Sequence, residues 1–222
     1  MDTMGDGGLH YGEKYFAEQR KSGEFGAKAN IDFFQKYIRE HDSVIDFGCG
    51  GGFYLDAIEC EDKIGVEINP VARAIAQEKF PVYAELSETA DNWADVVISS
   101  HALEHTYDPF DKLKLVLKKL KPGGLAVFLV PCERYDNRYV EDNYDQHLYT
   151  WSPLNLGNLF RHAGFEVVSC EHVARLWPPK YELVQKLVGW SMFHVFCKIY
   201  GRINLRLTQV HIVAKKPTRL AS

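Results

Sequence analysis

The residues best suited to chemistry in this chain form a glycine-rich loop, from Gly48 to Gly52, and an acid that follows it at Glu67. The apolar run 43–47 leads into the loop, and a helix is predicted to start within it. Glycines there allow a tight turn and let a ligand approach the backbone, and the amide groups of a helix N-terminus favour a negative ligand group. An acid after the next strand can accept hydrogen bonds from a ribose diol. Loop and acid together indicate a nucleotide-like cofactor, and a plain glycine-rich turn is the alternative reading of the loop alone.

The loop does not fit the GxGxxG fingerprint of dinucleotide-binding proteins. The third glycine of that fingerprint lets a helix pack closely on a strand. Counted from Gly48 that position is Phe53, and counted from Gly50 it is Leu55. An NAD-dependent dehydrogenase is therefore the weaker interpretation.

The elements that must position these residues alternate between strand-like and helix-like segments. This alternation predicts an α/β fold in which helices cover a parallel sheet. The predicted strands are 43–47, 63–67, 82–84, 95–99, 125–130, 165–170 and 209–214. The predicted helices are 50–60, 70–79, 109–120 and 153–163, and the stretch 10–40 is also expected to be helical.

Composition narrows the function classes further. The chain has 222 residues, a formal net charge of −4 and five cysteines without a CxxC pair. Length favours one decorated domain, and the negative charge argues against binding of nucleic acid. The cysteines predict reduced thiols rather than a zinc site. No signal pattern opens the chain and the apolar segment 180–200 carries charges, so we expect a cytoplasmic protein without a transmembrane segment.

Four segments together resemble the class I S-adenosylmethionine (SAM)-dependent methyltransferases, of the small-molecule type. They are motif I at 44–52 (VIDFGCGGG), the acid segment at 65–67 (GVE), the fourth-strand motif at 93–105 (WADVVISSHALEH) and the turn at 120–124 (LKPGG). The resemblance implies a Rossmann-like, doubly wound α/β sheet of seven strands, mostly parallel with the last strand antiparallel. It also implies a methyltransferase domain at 41–222, with a helical insertion at about 178–202, after an N-terminal helical lid at 1–40.

The same resemblance places SAM, the implied cofactor, on residues of these motifs. The acids Asp46 and Glu67 are expected beside the amino group and on the ribose hydroxyls, and Ile68 on the adenine. The remaining predicted cofactor contacts are the backbone of Gly48 and Gly50, Ser100 and His101 at the methionine end, and Tyr15 in the N-terminal lid.

Histidine suits removal of a proton from a methyl acceptor near neutral pH. His147 follows the fifth strand, at the sheet edge where α/β folds bind ligands, and is the predicted catalytic base. A structural histidine that pins its loop is the alternative. Glu104 and His105 provide two metal ligands without a third, so no metal is predicted.

The acceptor is expected to be a small metabolite methylated on O or N, such as a sugar or a secondary-metabolite intermediate. Arg134, Tyr135 and Tyr144 crowd the loop after the fifth strand and are predicted to bind it, although a solvated loop would have the same composition. An RNA or protein methyltransferase and a non-catalytic SAM-binding protein remain alternatives. The segment 180–200 is left open as a substrate lid, a membrane-surface helix or the surface of a homodimer.

Overall fold

A computed structural model describes residues 23–133, 137–141, 143, 145–204 and 208–218. Its seven strands are β1 Ser43–Phe47, β2 Asp62–Val66, β3 Val82–Tyr83, β4 Ala94–Ser100, β5 Leu120–Cys132, β6 Glu166–Val173 and β7 Thr208–Lys215. Its helices are α1 (residues 23–30), α2 Phe53–Ala57, α3 Pro70–Gln77, α4 Pro109–Lys119, α5 Pro153–His162 and α6 Tyr181–Asn204. Short 3-10 turns lie at Ile31–Phe33, Gln35–Tyr37, Leu86–Glu88 and Leu103–His105.

The strands form one sheet in the order β3-β2-β1-β4-β5-β7-β6. The first five strands run parallel, whereas β7 is antiparallel to both β5 and β6. This confirms the predicted seven-stranded sheet with an antiparallel last strand. The strand order reverses between β1 and β4, and open α/β sheets bind ligands outside the carboxyl ends of the strands at such a point.

The core lies on both faces of the sheet. All five residues of β1 are buried, which explains why this strand reads as a continuous apolar run rather than an alternating one. One face is covered by the helices after β4 and β5, through residues such as Leu113 and Phe160. The other face is covered by residues that precede β1, including Phe33 and Phe34. The segment before β1 is thus part of the core.

Two predicted elements differ from the structure for a clear physical reason. The helix predicted at 50–60 spans only Phe53–Ala57, because Gly50 and Gly52 adopt left-handed backbone conformations, with φ of 53° and 81°. The strand predicted to start at 125 starts at Leu120, and the expected turn at Gly123 lies inside it. Gly123 has a φ of 83° and its amide donates to the Lys216 carbonyl, so the strand continues through the glycine pair.

The helical insertion predicted at about 178–202 corresponds to α6. Its helical path is interrupted at Gly189, where φ is 72° and ψ is 171°. Phe193 and Cys197 are buried against Ala29 of α1, beside the rings of Phe25 and Trp190. Among the described residues, no helix combines the length and the apolar character that crossing a membrane requires.

Candidate active site

The loop between β1 and α2 is fixed against β2 by its own backbone. The amides of Gly48 and Cys49 both donate to the Val66 carbonyl, at 2.9 and 3.1 Å. Gly48 has a φ of 78°, and a Cβ atom there would lie 2.2 Å from the Cβ of Ala102. Gly50 has a φ of 53°, and a Cβ atom there would have no neighbour within 4 Å. Gly48 is therefore required for packing, whereas the backbone at Gly50 is open to an approaching ligand.

Asp46, near the end of β1, is a buried carboxylate with an unsatisfied oxygen. It is 1% exposed, and its Oδ2 has no hydrogen-bond partner among the described residues. Burial and, to a smaller extent, the negative charge of Glu67 together raise the pKa of Asp46 to about 8. A positively charged ligand group beside Asp46 would supply the missing partner.

Glu67 follows β2 and is held by two backbone amides. Gly50 donates to its Oε2 and Asn69 to its Oε1, both at 2.8 Å. Burial raises the pKa of Glu67, and these two hydrogen bonds oppose the rise. Each carboxylate oxygen retains a lone pair for a further donor. The geometry suits the hydroxyl pair of a ribose.

Beside Glu67, the apolar side chain of Ile68 is 47% exposed. Arg73 donates to the carbonyls of both residues, at 2.8 and 3.1 Å. The backbone of this segment is therefore pinned from α3. An exposed apolar side chain on a fixed backbone suits contact with a flat ring.

Ser100 and His101 mark the end of β4. The Ser100 hydroxyl donates to the Tyr54 hydroxyl at 3.2 Å. His101 has a φ of 53°, and its Nε2 accepts from the amide Nε2 of Gln209 at 2.9 Å. This leaves the ring proton on Nδ1, which lies 3.4 Å from Glu104 Oε1. His101 therefore faces Glu104, and Ser100 faces α2.

His147 lies between two carboxylates. Its Nδ1 is 2.8 Å from Glu133 Oε1, and its Nε2 is 3.9 Å from Glu104 Oε1. The His105 and His147 rings meet edge to face with centroids 5.0 Å apart. Burial lowers the pKa of His105, which favours its neutral ring. We call Glu104, His105 and His147 the Glu104 cluster; one ligand atom of each lies within 4.8 Å of the others.

The segment that carries His147 is joined to the ends of β4 and β5. Leu148 donates to the Glu104 carbonyl at 3.0 Å, and Trp151 donates to the Pro131 carbonyl at 3.2 Å. The amide of Glu133 donates to the Thr150 hydroxyl at 2.7 Å. These bonds bring His147 to a residue 43 positions earlier in sequence, a proximity that spacing could not reveal.

The structure thus assembles part of the predicted site. From the sequence, Glu104 was paired only with His105 as a possible metal ligand; in the structure a ligand atom of His147 also lies within 4.8 Å of theirs. Sequence reasoning also missed Glu133 and Gln209, which position His147 and His101. The signal for Glu133 was a carboxylate directly after β5, at the ligand-binding edge. Tyr15, Arg134, Tyr135 and Tyr144 lie outside the described residues, and their predicted roles stay predictions.

Residues 16–170 match the model of a family described as a methyltransferase domain. Among curated proteins, the chain is 32% identical over 98 residues to a ubiquinone biosynthesis O-methyltransferase from Aliivibrio fischeri (strain MJ11), covering 38% of this chain and 42% of that protein. The chain spans less than half the length of the curated relatives it matches.

Solved structures agree in fold. A SAM-dependent methyltransferase from Archaeoglobus fulgidus superposes with a TM-score of 0.66 at 24% identity, covering 92% of this chain and all of that one. The [4+2]-cyclase SpnF superposes with a TM-score of 0.62 at 19% identity, covering 86% of this chain and 81% of that one. These likenesses confirm the predicted Rossmann-like fold.

Proposed function

Since this chain belongs to the class I SAM-dependent methyltransferase family, we propose that it transfers the methyl group of SAM to an oxygen or nitrogen atom of a small metabolite. SAM is the methyl donor of the family. The single observation that carries the proposal is the meeting of Asp46, Gly50 and Glu67 in one place. A buried carboxylate lacking a partner, an open backbone and an amide-held acid match the amino, methionine and ribose parts of SAM.

His147 activates the acceptor in this proposal. Glu133 accepts the hydrogen bond that Nδ1 donates, so Nε2 of the neutral ring carries a lone pair. As the acceptor oxygen is methylated, its proton passes to Nε2 of His147. SAM, when bound, would supply an electrophilic methyl group and would leave as a neutral thioether. Alignment of the two reactants supplies most of the rate, worth roughly 7–11 kcal/mol in well-oriented systems.

Two observations support a small acceptor with a reactive oxygen. The curated relatives include O-methyltransferases of ubiquinone biosynthesis, and the net charge of −4 is unfavourable for a nucleic-acid acceptor. Sugars and secondary-metabolite intermediates both present such hydroxyls. Arg134, Tyr135 and Tyr144 are the proposed acceptor contacts.

Calorimetric titration with SAM tests the cofactor site. Glu67→Ala removes the acceptor of the ribose hydrogen bonds and should weaken SAM binding by at least about tenfold, as expected for hydrogen bonds to a charged group. Glu78→Ala, an exposed acid at the end of α3, is the matched control and should bind like the parent chain. Undiminished binding by Glu67→Ala would contradict the cofactor assignment.

Methyl transfer from labelled SAM into metabolite pools tests the reaction. The parent chain should label a low-molecular-weight product, and His147→Ala should lower kcat by about 10²–10⁴-fold while SAM binding is retained. His162→Ala, an exposed histidine at the end of α5, is the control. Label that appears only in RNA or protein would favour a macromolecular acceptor, and turnover unaffected by His147→Ala would remove that residue from the mechanism.

A further inference from the structure

The Glu104 cluster is built around one buried carboxylate, that of Glu104. Glu104 is fully buried, and neither of its oxygens has a hydrogen-bond partner among the described residues. His101 Nδ1, which carries a ring proton, lies 3.4 Å from Glu104 Oε1. A buried carboxylate that stays ionised is normally paired or coordinates a cation. A cation bound next to Glu104 would therefore stabilise its buried negative charge.

His147 presents a lone pair to this carboxylate rather than a proton. The Glu133 carboxylate can only accept, so the 2.8 Å contact places the ring proton of neutral His147 on Nδ1. Nε2 is then an acceptor that faces a second acceptor, Glu104 Oε1, at 3.9 Å. Two acceptors held opposite each other are repulsive unless a cation lies between them.

We propose that Glu104, His105 and His147 bind a divalent transition-metal ion, with Zn²⁺ as the best match. Their ligand atoms lie within 4.8 Å of one another. Zinc–nitrogen and zinc–oxygen bonds of about 2.0–2.2 Å require ligand atoms no more than roughly 4 Å apart, so a small closure completes the site. Two imidazoles in a set of three favour zinc and its neighbours over Mg²⁺ or Ca²⁺, which prefer oxygen ligands.

The surrounding residues support ligation by this cluster. A metal-binding histidine usually donates its other ring proton to a carboxylate, which fixes the ring and raises its basicity. Glu133 makes this contact with His147. The Leu148 amide also fixes the backbone of Glu104, at 3.0 Å from its carbonyl. Two of the three ligands are thus held in place before any ion arrives.

The site deepens the proposed function, on which the following role rests. Three protein ligands leave a zinc ion at least one open position, as in catalytic rather than structural zinc sites. A hydroxyl of the acceptor bound there would lose its proton more readily. His147 would then be a metal ligand instead of the proton acceptor. Both roles make His147 necessary for turnover, so the test must read the metal directly.

The test titrates Co²⁺ and then Zn²⁺ into the chelator-treated, tag-free full chain, without SAM or acceptor. We expect one ion per chain, visible absorption bands of low-symmetry Co²⁺, and loss of those bands when Zn²⁺ displaces it. Glu104→Gln and His147→Ala should each weaken binding at least tenfold. Glu133→Gln should weaken it by roughly 10–100-fold through the loss of orientation, and His162→Ala should leave it unchanged.

Circular dichroism and SAM titration show which variants are folded. If Glu104→Gln does not fold, metal binding by His147→Ala is compared with that of the parent chain. His147 is closer to the surface than Glu104, so its substitution should disturb the fold less. Absence of stoichiometric binding by the parent chain overturns the site, as does binding that neither variant weakens. Metal binding and SAM binding are measured separately. A chain that binds Zn²⁺ but not SAM would refute the proposed function and leave the metal site standing.

Discussion

Asp46 and Glu104 are two buried acids, and within the part of the chain that the structure describes not every oxygen of theirs has a hydrogen-bond donor. They follow different strands, β1 and β4, and the glycine loop passes between their strand ends, with Gly48 against Ala102. Uncompensated carboxylates are costly in a protein interior. Their persistence indicates places where a ligand, rather than the protein, completes the electrostatics.

The raised pKa of Asp46 predicts that SAM binding releases a proton. In the free chain this pKa is about 8, so the acid is mostly protonated at pH 7. The positive charge of SAM favours the ionised form and lowers the pKa in the complex. SAM affinity should therefore rise with pH between about 6 and 8.

Calorimetry in buffers of different ionisation enthalpy measures this proton release directly. Asp46→Asn should abolish the released proton and weaken binding, whereas Asp56→Asn, an exposed acid of α2, should behave like the parent chain. Equal proton release by the parent chain and Asp46→Asn would show that another group titrates.

Alanine substitutions at two glycines of the loop are predicted to have different effects, one mainly on stability and the other mainly on SAM binding. Gly48→Ala forces a side chain into a left-handed backbone and onto Ala102, which should lower the free energy of unfolding by about 2–5 kcal/mol. Gly50→Ala meets no neighbour and should cost only about 1–2 kcal/mol, but its methyl group occupies the space assigned to SAM. Urea unfolding and SAM titration separate the effects. Comparable stability losses, or SAM binding retained by Gly50→Ala, would contradict this assignment.

At the scale of elements, hydrogen bonds from Arg175 join the segment before β1 to the end of β6, an edge strand of the sheet. The Arg175 guanidinium, buried after β6, forms two hydrogen bonds to the Asp32 carboxylate, at 2.6 and 2.7 Å. It also donates to the Ala29 carbonyl at 3.1 Å and lies 4.1 Å from the centre of the Phe33 ring. The bond to Arg175 holds the pKa of Asp32 below its usual value, although burial opposes it. One side chain thus joins α1, the first 3-10 turn and β6.

Arg175→Ala should lower the free energy of unfolding by about 2–4 kcal/mol, because it leaves Asp32 and a backbone carbonyl without their donor. Arg175→Lys keeps the positive charge but not the planar guanidinium with its two parallel hydrogen bonds, so it should recover only part of the lost free energy of unfolding. Arg161→Ala, an exposed residue of α5, is the control for removal of a positive charge. Urea denaturation measures all three, and an unchanged midpoint for Arg175→Ala would refute the fastening role.

At the scale of the whole molecule, stability should depend on pH through a buried histidine of β7. His211 is 2% exposed, donates from Nε2 to the Phe33 carbonyl at 3.2 Å, and stacks near Phe33 and Tyr37. Burial lowers the pKa of His211 to about 4, with the charge of Lys36 adding to the effect. The unfolded chain takes up this proton near pH 6.5. Folding is therefore opposed increasingly as the pH falls from about 6.5 to 4.

Protonation of His211 in the unfolded chain should lower the free energy of unfolding by about 3 kcal/mol at pH 4. His211→Gln keeps a donor but cannot be protonated, so its unfolding free energy should decline less steeply over this interval. His162→Gln should follow the parent curve, since His162 is exposed. Thermal or urea unfolding at several pH values checks the difference, and parallel curves for the parent and His211→Gln would contradict it.

The sequence by itself determined the fold class and the family of this protein, and it predicted the loop that we propose to bind SAM. The reason is that these depend on local order: a buried strand, a glycine loop, a helix, a strand and an acid follow one another within 25 residues. Even the first strand was placed without error, because a strand buried on both faces is apolar throughout.

Tertiary structure decided which distant residues share one site. Glu104, Glu133 and His147 lie at separate points of the chain and meet because β4 and β5 end at the same edge of the sheet. It also decided which polar groups lack partners, as at Asp46 and Glu104, since burial depends on the packing of every neighbouring element. The sequence supplied residue types that can bind a metal, but only the parallel pairing of strands brought the third residue of the proposed metal site beside the two adjacent ones.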